Sequence, residues 1–389
     1  MNKTISHLIL IASFVVISIT LVWLPHLLAL PNFWGLNFNN GFATIYRNFD
    51  GLEYVIISKT WYDPILIQNI PQSLPANYFA SHFPGYSILI ALFAPLLGYL
   101  KSMLFVSVLS TILAIFAFYL LVRDFKLTNH PLLLSLIFLV LPARWLIVHS
   151  VGSSEPTFIF FIIMAVYFFM KATTDQLHTT YYILLSALFG AAAQITRPPG
   201  ILLFIALVLF LLWKIAKEKM QFTSIIRIVT TNIPLLLIPT ALLIIFTWYS
   251  ISYQDFFAYF HSGDNIHLTF PPFQVFNKEQ FWVGEIWLED IIYIFIIGFL
   301  GGVLLIKQKL YPMAFFVLTY MVASILIAHR DISRYILPIT PFILVAFEKV
   351  LTSKEFKIIL PFILLAIYLY AQNFILANVA PIPNLSAFN

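Results

Sequence analysis

The sequence has no cysteine in 389 residues, which excludes disulfides, thiol nucleophiles and thiolate metal ligands. It is also short of charge. Asp, Glu, Lys and Arg make up 10% of it, where soluble domains carry about a quarter. No stretch has the glycine spacing of a phosphate-cradling nucleotide loop, and no Ser-His-Asp arrangement can be assembled. No repeat, low-complexity tract or linker divides the chain, so a single domain over 1–389 is expected. The net charge of +5 is scattered between apolar runs, so no nucleic acid is expected as a partner. What is abundant is apolar: 61% of residues are hydrophobic, with 40 Phe and 8 Trp. A soluble fold of this size would leave much of that surface against water. A lipid bilayer removes the conflict, and the aromatics suit lipid contact and interfacial belts. The chain reads as an all-α, multi-pass membrane protein.

A spanning helix needs about 20 mostly apolar residues. Runs of this kind lie near 6–30, 102–122, 131–149, 156–171, 181–196, 200–213, 228–250, 290–306, 310–328, 335–349 and 357–377. The first is too long for the apolar core of a signal peptide and lacks a small-residue cleavage site, so it reads as retained. Residues 84–100 are apolar but short, and Pro84, Gly85 and Pro95 interrupt them. They could cross the membrane or lie at its interface. Charge favours the interface. With 84–100 kept outside, 13 of the 21 basic residues fall on one side, from Lys3 and Arg123 through Lys214 and Lys307 to Lys357. The positive-inside rule then gives eleven spans and a cytoplasmic N-terminus. It also leaves two large outer loops, 31–101 and 251–289.

The polar chemistry collects in the outer pieces. Asp50 precedes a short expected helix, with Glu53 one turn on along the same face; capping that helix is the plain alternative for Asp50. His82 sits in Tyr78-Phe79-Ala80-Ser81-His82-Phe83-Pro84-Gly85-Tyr86, an aromatic, Pro and Gly run that is ordinary turn chemistry at a membrane surface. Glu155, in Gly152-Ser153-Ser154-Glu155-Pro156 between two apolar runs, is costly at membrane depth, so it faces a wet cavity or serves as a helix N-terminal acid. Arg197, in Thr196-Arg197-Pro198-Pro199-Gly200, joins two short apolar segments. Breaks of this kind mark cavities in membrane proteins; the arginine either binds phosphate or snorkels to headgroups. Arg330 and Arg334 are four apart, so on a helix they would share a face, and such a pair suits a phosphate or an anionic lipid headgroup. His261, Asp264 and His267 stand three apart in what reads as a turn. No cofactor is called for, and a divalent metal is not indicated.

Together these pieces resemble the GT-C glycosyltransferases that use polyprenyl-phosphate sugars. The likeness is greatest to the PIG-V-like group, which includes GPI mannosyltransferase II. It rests on Phe49-Asp50-Gly51, Phe83-Pro84-Gly85-Tyr86, Gly152-Ser153-Ser154-Glu155, Thr196 to Gly200, and Arg334-Tyr335-Ile336-Leu337-Pro338, in the family's order over about residues 40–345. Two positions depart: the family often has Trp where Phe49 stands, and a residue other than proline where Pro156 stands. The resemblance implies a GT-C-like bundle of about eleven transmembrane helices. It implies transfer of a hexose, mannose by the nearest group, from a polyprenyl-phosphate donor to an extracytoplasmic hydroxyl on a glycolipid, glycan or protein, with inversion of a β-linked donor. Asp50 would be the general base. Glu53 and Glu155 would orient the acceptor. Arg197, Arg330 and Arg334 would bind the donor phosphate, with His82 and Tyr335 as further donor-site candidates. The plasma membrane is the expected location, with the active site outside. A transporter of lipid-linked or small polar substrates is the competing reading, and a non-catalytic scaffold the third.

Overall fold

The computed structural model describes residues 3–388 except 176, 264–267, 284–287 and 383. It is 74% helical, with no strand among the described residues. The chain enters through α1 (Lys3–Leu27), then crosses an irregular segment to α2 (Gly51–Thr60), α3 (Gly85–Leu97) and α4 (Tyr99–Asp124). A broken pair follows, α5 (Pro131–Val140) and α6 (Ala143–Ser150), then α7 (Glu155–Thr174) and α8 (Thr179–Thr196). Next come α9 (Ile201–Glu218), α10 (Phe222–Asn232) and α11 (Leu237–Ser252). The last part holds α12 (Glu289–Lys307), α13 (Tyr311–Ser324), the short α14 (Ile332–Tyr335) and α15 (Thr340–Ala346), and α16 (Lys354–Ala377).

Among the described residues, seven helical stretches are long and apolar enough to cross a membrane, or eight if the bent pair counts as one span. The protein is therefore multi-pass. The eleven expected spans are not all full-length. The expected span at 131–149 is two helices meeting at 74°, because Pro142 cannot continue a helix and drives Leu141 into an extended conformation. The expected spans at 310–328 and 335–349 are short helices. The ambiguous 84–100 segment forms the 13-residue α3, about 20 Å long against an apolar core of about 30 Å. Gly98, at φ +76°, then turns the chain into α4.

Helices α4, α7 and α8 form the centre: α7 packs along both neighbours and buries Phe158, Ile162, Val166 and Phe169. Large side chains such as Leu96 (83% exposed) and Phe362 (74%) face outward, as expected where lipid is the solvent. Short or broken helices are tolerated at such depth only where they bury their backbone in protein or line a cavity, and α2, α6, the turn after α8 and α14 all contribute side chains to one cavity.

Two glycines explain why the sequence motifs meet. A Cβ on Gly51 would lie 2.9 Å from the Gly152 carbonyl oxygen, and one on Gly85 would lie 2.8 Å from Thr196 Cα. The first contact joins the Asp50 motif to the Glu155 motif, and the second joins the Phe83-Pro84-Gly85 motif to the Arg197 turn. Because the obstacle at Gly85 is rigid backbone, we expect Gly85→Ala to destabilise the fold by roughly 1–3 kcal/mol, read as a lower thermal midpoint in detergent. An unchanged midpoint would show that Thr196 gives way.

Candidate active site

Four charged side chains from four separate elements converge at the cavity end of the bundle. Asp50 precedes α2, Glu155 opens α7, Arg197 follows α8 and Arg334 lies in α14. Arg334 donates from Nε to Glu155 Oε1 at 2.5 Å and from Nη2 to Asp50 Oδ2 at 2.7 Å. Arg197 pairs with the same Glu155 Oε1 and donates to Ser154 Oγ at 3.1 Å. Glu155 Oε2 accepts from Ser153 Oγ, and Tyr54 OH meets Ser154 Oγ at 2.9 Å. Glu155 is 1% exposed and Arg334 6%. Removing one partner from such a buried pair leaves an uncompensated charge, so the four must be treated as a unit.

Local sequence explains the placement. Pro198 and Pro199 end α8 and force Arg197 into extended backbone (φ −150°, ψ 146°), so it leaves the helix line beside Glu155. Phe49 has φ +48°, an uncommon conformation for a bulky residue. Its ring lies under the Arg334 guanidinium at 4.4 Å and stacks on Phe374 of α16 at 5.4 Å. The aromatic residue before the aspartate thus serves as a cation–π platform for the arginine that binds it.

Asp50 stands at the N-terminus of α2 but makes no side-chain capping bond, so the capping alternative does not hold. Its carboxylate is 33% exposed and lines a cavity of about 1250 Å³. Burial alone would raise its pKa, but the Arg334 guanidinium holds it below the usual aspartate value, so it is ionised at neutral pH. Glu53 behaves oppositely. Burial, and next the Asp50 charge, push it up to about 8. Its Oε2 is buried with no hydrogen-bond partner among the described residues.

The expected roles of the two glutamates require correction on geometry. Glu155 touches the cavity, but both oxygens are occupied by Arg334, Arg197 and Ser153, so it anchors the arginines and does not hold an acceptor. Glu53 does not line the cavity. The paired fork of Arg330 and Arg334 does not form either. The helix starts only at Ile332, so Arg330 sits in the preceding turn, exposed, over the Phe281 ring at 5.6 Å. Both arginines line the cavity, and Arg330 has no carboxylate partner among the described residues. His82 lines it too, 7% exposed, its Nδ1 at 2.8 Å from Ser81 Oγ. Burial lowers it to about 4, leaving a neutral imidazole. Tyr335 lines the wall near the His329 ring. Asp264 and His267 of the metal reading lie outside the described residues. His261 instead pairs with Asp255 at 2.7 Å, and no group of three metal-ligating side chains occurs among the described residues.

Sequence reasoning missed Arg144. It lies in the first turn of α6, pairs with Asp331, and lies over the Phe374 ring at 4.0 Å. The available signal was an arginine inside an apolar run, next to a proline.

Residues 81–251 match the family described as dolichyl-phosphate-mannose-protein mannosyltransferase. No curated protein sequence matches the chain. Among solved structures, the fold is similar to the Archaeoglobus fulgidus oligosaccharyltransferase complex with Zn and sulfate. The TM-score is 0.53 at 14% identity, covering 95% of this chain and 54% of that one. It is likewise similar to the oligosaccharyltransferase AglB of the same organism in complex with an inhibitory peptide and a dolichol-phosphate, at TM-score 0.52 and 13% identity, covering 98% and 56%. The chain therefore spans about half the length of the structures it matches.

The raised Glu53 pKa gives a pH test. Unfolded, Glu53 titrates at the ordinary glutamate value of about 4.5; folded, it holds its proton to about 8. Between these values the folded state binds more protons, so stability falls as pH rises. Glu53→Gln should therefore be more stable than wild type at pH 8, by on the order of a few kcal/mol, with the gap closing toward pH 5. Thermal midpoints at the two pH values measure it, and a gap independent of pH would remove this account of Glu53.

Proposed function

We propose that this chain is a GT-C-type glycosyltransferase that transfers a hexose from a polyprenyl-phosphate donor to an acceptor hydroxyl, a reading supported by the mannosyltransferase family match over residues 81–251 and by the fold. The observation that carries the reading is the ionised, cavity-facing Asp50 held beside two cavity arginines, Arg334 and Arg197. Mannose is the sugar favoured by the matched family.

The acceptor hydroxyl approaches Asp50 from the cavity. Asp50 Oδ2 is held by Arg334, while Oδ1 makes no hydrogen bond among the described residues. That oxygen takes the hydroxyl proton as the acceptor oxygen bonds to the anomeric carbon; the bond from that carbon to the phosphate oxygen breaks, and polyprenyl phosphate leaves with the electron pair. Positioned proton transfer of this kind contributes about 10²–10⁴ in rate. The phosphate gains charge as it leaves and needs fixed cations in a site shielded from water. Arg334 and Arg197 are fixed by Glu155, and Arg330, free of carboxylates, is the cation available to close on the phosphate. Neutral His82 offers a hydrogen bond without adding charge. The wall bearing Ile201, Leu202, Leu242, Phe246 and Leu268 is apolar and suits the prenyl chain. The site would face the extracytoplasmic side, in keeping with the distribution of basic loops.

The test is transfer by the purified full chain in liposomes, from a panel of radiolabelled polyprenyl-phosphate hexoses to native lipid and glycan extracts. Asp50→Asn should lose about 100-fold or more in kcat. Full activity in that variant would remove Asp50 as the base. If no donor is consumed while labelled lipid crosses the membrane, the protein is a transporter.

A further inference from the structure

The cavity has a second polar pole that the proposed chemistry does not use. Arg144 of α6 and Asp331, just ahead of α14, form an ion pair, with side chains 11% and 16% exposed. Arg144 Nε reaches Ser333 Oγ at 3.4 Å, and its Nη1 is buried with no hydrogen-bond partner among the described residues, so this arginine fixes the position of Asp331. Asp331 meets Arg144 through Oδ1; its Oδ2 accepts no hydrogen bond among the described residues and is not covered by protein. Tyr370, 42% exposed, and Asp290 stand on the same wall.

This pole is held at a fixed offset from the catalytic one. Arg334 lies 4.4 Å from the Phe49 ring, Phe49 stacks on Phe374 at 5.4 Å and 23°, and Arg144 lies 4.0 Å from Phe374. Two ring layers therefore separate the guanidiniums, further than one phosphate group can bridge. Whatever binds Arg144 is a different group from the one that binds Arg334. Asp331 neutralises Arg144, and Asp290 adds a further carboxylate, so a second anion would be repelled. What remains is Asp331 Oδ2 as an acceptor, held in place by Arg144, and the half-exposed Tyr370 with its hydroxyl and ring, which matches neighbouring hydroxyl groups on an apolar-faced sugar ring. Hydrogen bonds from a neutral ligand to charged side chains of this kind are stronger than those between neutral groups.

We propose that Arg144, Asp331 and Tyr370 form a saccharide subsite, and that the acceptor is a glycan whose attacking ring sits at Asp50 while its next ring sits on this pole. The inference rests on the transferase reading above and narrows the acceptor to a carbohydrate of at least two rings.

The experiment compares octyl hexosides with octyl dihexosides as acceptors for the full chain in liposomes, at saturating polyprenyl-phosphate hexose, beside a serine peptide. Wild type should show kcat/KM at least about tenfold higher for the two-ring acceptor than for the one-ring acceptor, through KM. In the double variant Arg144→Gln/Asp331→Asn, which leaves no single buried charge unpaired, that ratio should fall to near one. The ratio is taken on one preparation, so loss of folded protein cancels from it. Asp331→Asn alone should lower it in the same direction if the double variant folds poorly. A wild type that treats both acceptors alike, or prefers the peptide, overturns the proposal, as does a double variant that keeps the preference. Donor left intact with every acceptor removes the transferase reading itself, and this one with it.

Discussion

Everything at the cavity end depends on one guanidinium shared between two carboxylates. Arg334 ties Asp50, near the N-terminal third of the chain, to Glu155 in the middle, and it comes from the C-terminal part itself. Charges at this depth are costly unless paired and fully hydrogen-bonded. Here Glu155 is satisfied on both oxygens and Arg334 is seated on an aromatic face. The arrangement also divides labour between two acids. Glu155 is used up in holding cations, which leaves Asp50 as the carboxylate with an oxygen open to the cavity. One arginine therefore keeps Asp50 ionised and places a fixed positive charge beside it, both of which the proposed transfer requires.

The fold that permits this is a bundle with faults in one end. Proline ends α8 before Arg197, proline bends the α5–α6 pair before Arg144, and α14 is barely a helical turn. A bundle of straight, full-length helices would point its termini at the headgroups. Each interruption instead releases a side chain sideways into the cavity. Close approaches at Gly51 and Gly85 then lock the interrupted segments together, so the site is held by packing that reaches the core.

Much of this was legible in the sequence, for a physical reason. Asp50-Gly51, Phe83-Pro84-Gly85, Ser154-Glu155 and Arg197-Pro198-Pro199 each carry their own local chemistry: a glycine where backbones touch, a proline where a helix must stop, a charge where apolar residues surround it. What could not be read was pairing. Asp50 and Arg334 lie 284 residues apart, and no local pattern states that they meet. The same lack of distance information made Glu155 look free to hold a ligand. Spacing also misled at Arg330 and Arg334, because four residues share a face only if a helix runs through both. Arg144 was hidden by the strength of its setting: an apolar run read as one straight span conceals a break in its middle. Span counting failed where helices are short, since composition sets apolar character but not how much of the bilayer a segment crosses.

Helix α3 carries a mechanical consequence. At about 20 Å it is roughly two-thirds of the usual apolar thickness of a bilayer, and it presents Leu92 and Leu96 outward, 66% and 83% exposed. A helix of this length reaches through only part of a hydrocarbon layer or lies along its surface, so the lipid beside it meets protein over part of its depth alone. The 26-residue α4, packed against it, carries the full crossing on that side.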